Sequence, residues 1–134
     1  MPSLEYIEGI GPAYAEKLRA CGCGSTAQLM TMCCDRKGRA AMAAESGIDE
    51  KRILGWVNRV DLMRIRGVGS EYSDLLEAAG VDTVVELATR NAANLHKKMV
   101  ETNTEKKLVR QLPTASQVAD WVTQADGLPR VVSH

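Results

Sequence analysis

Two short stretches hold the residues whose types and spacing could do chemistry: Gly9-Ile10-Gly11 and Gly67-Val68-Gly69. Glycine has no Cβ, so backbone N–H groups can close on an anion, and a helix that follows adds the positive end of its dipole. That chemistry is phosphate binding. Ile10 and Val68 are expected to turn inward and pin each turn. Basic side chains flank both stretches, with Arg64 and Arg66 before the second and Lys17 and Arg19 after the first. The same pattern also serves simple packing of two short helices, and the residues leave both readings open.

Other candidates are weaker. Ala43, Gly47 and Ile53 have the spacing of a DNA-binding helix-turn-helix, with Lys51 and Arg52 facing the groove. A glycine turn between helices is common in any bundle, so structural use is the preferred reading. Cys21, Cys23, Cys33 and Cys34 lack the paired Cys-x-x-Cys knuckles of a zinc site, and free thiols are expected. His96 and His134 have no partner at ligand spacing. No nucleophile elbow, phosphate-binding Walker loop or paired carboxylate is recognisable. The chain is therefore read as a non-enzyme, with no catalytic residue, metal or cofactor.

Charge limits the partners. Seventeen basic and seventeen acidic residues give zero net charge, which argues against a strongly electrostatic nucleic-acid binder. The stretches around the two turns are slightly acidic. Basic residues gather in the connectors: Arg36, Lys37, Arg39, Lys51, Arg52, Arg59, then Arg90, Lys97, Lys98, Lys106, Lys107 and Arg110. These form either a phosphate-contacting flank or an ordinary solvated surface. No run approaches a membrane span. Glu5 and Glu8 stand where a leader would be basic and apolar, so no leader and a cytoplasmic location are expected.

The elements that must position the turns are helices. With 4% aromatics and no Phe, the core falls to Leu, Ile, Val, Ala and Met. Pro12 suits the first position of a helix carrying Tyr14, Ala15 and Leu18 on one face. The pattern returns at an offset of 58: Ile7 matches Ile65, Tyr14 matches Tyr72, Leu18 matches Leu76 and Leu29 matches Leu87. Trp56-Val57 returns as Trp121-Val122 at an offset of 65, which places seven extra residues near Thr102 to Gln111. This self-similarity indicates a duplication. The expected fold is all-α: two tandem helix-hairpin-helix repeats, residues 1–60 and 61–134, packed into one compact helical domain with a shared core. Arg66 stands where Glu8 stands, and Glu77 where Arg19 stands, so these positions are expected to pair across the repeats.

Ile7 to Pro12, Arg36 to Arg39, Ile53 to Arg59, Asp61 to Gly69 and Tyr72 to Thr83 together carry a resemblance. The chain resembles a bacterial and archaeal family of small tandem helix-hairpin-helix proteins labelled as a domain of unknown function. The resemblance covers nearly the whole chain and implies an all-α fold and a DNA-binding role. It brings no catalytic residues, and the four cysteines lie outside its pattern. The expected function is a sequence-independent nucleic-acid-binding module, DNA before RNA. Contact would come through Gly67, Val68, Gly69, Gly9, Ile10 and Gly11, with Arg64, Arg66, Lys17 and Arg19 beside them. The alternative is a protein-interaction adaptor in which the hairpins are structural only.

Overall fold

A computed structural model describes residues 3–134. Among these residues there are eight α-helices, a 3₁₀ turn at Leu4–Tyr6 and no strand. The helices are α1 (Pro12–Ala20), α2 (Thr26–Cys33), α3 (Arg36–Ser46), α4 (Glu50–Leu62), α5 (Ser70–Ala78), α6 (Val84–Ala88), α7 (Ala92–Lys106) and α8 (Ala115–Asp126). The chain divides into two compact units. One runs through Asp61 and takes in Val131–His134, and the other is Leu62–Arg130.

Local chemistry explains most helix starts. Ser25, Asp35, Thr83, Asn91 and Thr114 each accept a hydrogen bond from the backbone N–H three residues on. Each thereby satisfies a donor that the first helical turn leaves without a partner. At α8 the Gln117 side chain returns the favour to the Thr114 N–H, which completes a capping box. Helices α1 and α5 end alike. Cys23 N–H reaches the Leu18 carbonyl at 2.9 Å, and Val81 N–H reaches the Leu76 carbonyl at 2.9 Å. Both of these residues are then buried, as a Schellman ending favours.

Within the first unit, α4 turns Ile53, Trp56 and Val57 inward, and Leu4, Ile7, Ala15, Leu18 and Leu29 are buried too. The terminal residues Val131–His134 belong to this unit, with Val132 buried and Ser133 N–H bonded to the Cys34 carbonyl at 2.9 Å. In the second unit, Leu62, Ile65, Leu75, Leu76, Val84, Leu87, Met99, Val118 and Trp121 belong to one apolar cluster. Every residue of that cluster belongs to this unit.

The repeat is less regular than the offsets suggest. Asn91 caps α7 as Asp35 caps α3, an offset of 56 rather than 58, because α6 is shorter than α2. The later offset of 65 then requires nine extra residues rather than seven. A longer α7 and a longer stretch before α8 hold them.

Candidate nucleic-acid interface

The two glycine turns have one geometry. Ile10 N–H donates to the Ile7 carbonyl and Val68 N–H to the Ile65 carbonyl, both at 3.1 Å. Gly9 has φ +95° and Gly67 φ +100°, a region closed to side chains by steric overlap. Ile10 and Val68 point inward, 3% and 5% exposed, as expected. Their amides, however, are consumed by the turns themselves and offer nothing to a ligand.

The donors that remain belong to the helices that follow. Gly11 precedes α1 and Gly69 precedes α5, and neither has a side chain to cap its helix. Gly11, Ala13 and Tyr14 of the first unit keep N–H groups that no intrahelical carbonyl can reach. Gly69, Glu71 and Tyr72 do the same in the second. Among the seven helices whose N-caps are described, only α1 and α5 begin this way. Both follow a Gly-apolar-Gly turn. A Cβ at Gly11 would meet nothing within 4 Å.

A tryptophan lies behind each turn. The nearest heavy atom to a Cβ built on Gly9 is Trp56 Nε1, at 3.3 Å, and to one built on Gly67 it is Trp121 Nε1, at 3.0 Å. Each indole is held by a tyrosine from the first turn of the following helix. Tyr14 meets Trp56 with ring centroids 5.2 Å apart, and Tyr72 meets Trp121 at 5.3 Å. The duplicated Trp and Tyr were visible in the sequence, but their convergence on the glycine was not. The glycine, the tyrosine and the tryptophan come from three separate stretches.

The basic side chains fare unequally. Arg64 and Arg66 come together in the second unit, where they line a cleft of about 430 Å³ with Thr123, Gln124, Gly127 and Leu128. Arg64 donates to the Pro129 carbonyl at 2.8 Å. The Gln124 amide holds the Arg66 backbone from both sides, accepting from its N–H at 2.9 Å and donating to its carbonyl at 3.1 Å. The Arg66 guanidinium itself is exposed and has no ion pair among the described residues. In the first unit, Arg19 is engaged by Glu5 through two contacts of 2.7 and 3.2 Å. That ion pair lowers the Glu5 pKa and raises that of Arg19. Its partner is thus a residue of its own unit. Lys17 lies 6.0 Å from the Tyr14 ring centroid, and Arg52 stacks over the same ring at 5.1 Å.

Several connector cations are structural. Arg39 is 4% exposed and donates to the Cys33 carbonyl at 3.1 Å and the Ser133 carbonyl at 2.6 Å. Arg90 bonds Glu86 at 3.0 Å and the Gly80 carbonyl at 2.8 Å. Arg110, by contrast, is almost fully exposed, 3.6 Å from Glu71. The α3–Gly47–α4 turn exists, with Gly47 left-handed and Ile53 buried. The four cysteines are free thiols, and no group of metal-ligating side chains occurs among the described residues. Burial raises the pKa of the Cys23 thiol and pushes that of Cys33 up to about 11. No described helix is long and apolar enough to cross a membrane.

Fold and site together define an all-helical protein with a duplicated, tryptophan-backed glycine turn. The chain belongs to the family described as a domain of unknown function (DUF4332), whose model matches residues 8–128 and so includes both turns. No curated protein and no solved structure matches it.

Proposed function

We propose that this protein is a non-enzymatic tandem helix-hairpin-helix module that binds the phosphate backbone of nucleic acid, DNA first, without reading sequence. The observation that carries this reading is the pair of helices, α1 and α5, that start on glycine with no capping side chain. Five of the seven described N-caps supply their own acceptor, so an external anion would complete the two that do not. Arg66, exposed and unpaired, adds the free cation nearest the second turn. Glu8 and Glu71 work against anion binding, and the neutral charge balance keeps the expected affinity modest and salt-sensitive. Four free thiols fit a reducing cytoplasm.

A duplex-DNA titration followed by fluorescence anisotropy at two salt concentrations tests the reading. Binding should weaken as salt rises. Arg66→Glu should weaken it further and reduce the salt slope by about 1. Gly11→Asp places a carboxylate at an N-cap with open space around it. It should stabilise α1 by about 0.5 kcal/mol while repelling phosphate, which separates folding from binding. Absence of binding at low salt would leave the second reading, a protein adaptor, which Arg19's engagement by Glu5 favours.

A further inference from the structure

We propose that the indole N–H groups of Trp56 and Trp121 are phosphate-binding donors, one completing a seat at the start of α1 and the other at the start of α5. The inference deepens the nucleic-acid reading and rests on it.

Each tryptophan is 2% exposed, yet neither indole N–H has a hydrogen-bond partner among the described residues. Each Nε1 is reached by solvent, so the N–H is the accessible edge of an otherwise buried ring. Here the same unpartnered donor occurs twice, at equivalent places in the duplicated unit. In both, Nε1 is the first atom that a Cβ on the turn glycine would strike, at 3.3 Å for Gly9 and 3.0 Å for Gly67. Glycine therefore permits the positive φ and also lets the turn pack close to the indole N–H, where a methyl group would crowd it.

The ring is fixed. Tyr14 packs against Trp56 at an interplanar angle of 64°, and Tyr72 against Trp121 at 50°. Each tyrosine stands in the first turn of its helix, so the ring that packs on the indole projects from that uncapped turn. The central amide of each Gly-apolar-Gly turn is already bonded within the turn. The indole supplies the donor that the turn lacks. A ligand meeting an indole N–H and first-turn amides together must be rich in acceptors and negatively charged. A phosphodiester, with two unesterified oxygens, meets that requirement. In the second unit Arg66 would neutralise its charge.

The test uses the full chain labelled with ¹⁵N. Its two tryptophans give two resolved indole signals. A short DNA duplex is titrated at low salt. Both indole signals should shift and saturate together with the Gly11 and Gly69 amides. Trp121→Phe keeps a ring and deletes the donor, and should lower affinity about tenfold with unchanged circular dichroism. If backbone amides respond while both indoles stay still, the indole role is overturned and the DNA reading stands. If no signal moves at low salt, both fall.

Discussion

Gly67→Ala is the sharpest probe of the turn. Gly67 has φ +100°, outside the region that a residue with a Cβ adopts without strain. Holding alanine there costs about 1–3 kcal/mol. The added methyl would stand 3.0 Å from Trp121 Nε1, so the indole must also shift. Displacing a packed ring from its rotamer adds about 0.5–1.5 kcal/mol. The expected loss is about 2–4 kcal/mol. Gly9→Ala has nearly the same φ but a looser 3.3 Å contact, and should lose somewhat less. Gly11→Ala is the control: its φ is −84°, a Cβ there meets nothing, and only about 1 kcal/mol of capping preference is at stake. Urea unfolding followed by circular dichroism measures all three, with tryptophan fluorescence reporting Trp121. If Gly67→Ala loses no more than Gly11→Ala, neither the strain nor the close approach of Trp121 matters, and the reasoning fails.

Arg39→Met should destabilise by about 3 kcal/mol, because the Cys33 and Ser133 carbonyls lose charged hydrogen bonds while the buried stem is kept. Hydrogen exchange should then quicken at Ser133, whereas exposed Arg36→Met should change stability by less than about 0.5 kcal/mol. The Cys33 thiol predicts alkaline sensitivity with a defined sign. Its folded pKa, about 11, lies above that of an unfolded thiol, so its stabilisation is complete below the unfolded value and is lost as pH rises through the folded one. Unfolding free energies of wild type should therefore fall relative to Cys33→Ala by about 2–3 kcal/mol from pH 8.5 to 11; parallel profiles would refute this. Thiol labelling at pH 8 should be biphasic, with half-buried Cys21 and Cys34 fast and buried Cys23 and Cys33 slow.

The sequence by itself determined the all-helical class, the duplication and the position of both glycine turns. These rest on short-range physics: Pro12 at a first helical position, side-chain caps such as Ser25 and Thr114, and an apolar period near 3.6. The inward Ile10 and Val68 were legible as well, as the apolar residue between the two glycines of each turn. Only the tertiary structure decided which groups at the turns are still available. Ile10 and Val68 amides are spent within their turns, Arg19 is engaged by Glu5 fourteen residues away, and Arg39 is buried under the Ser133 carbonyl. It also decided that Trp56 and Trp121 reach back to the turn glycines. Periodicity records which face of a helix is apolar but not what a side chain meets across the chain. Charges and donors are consumed or left open by such distant contacts.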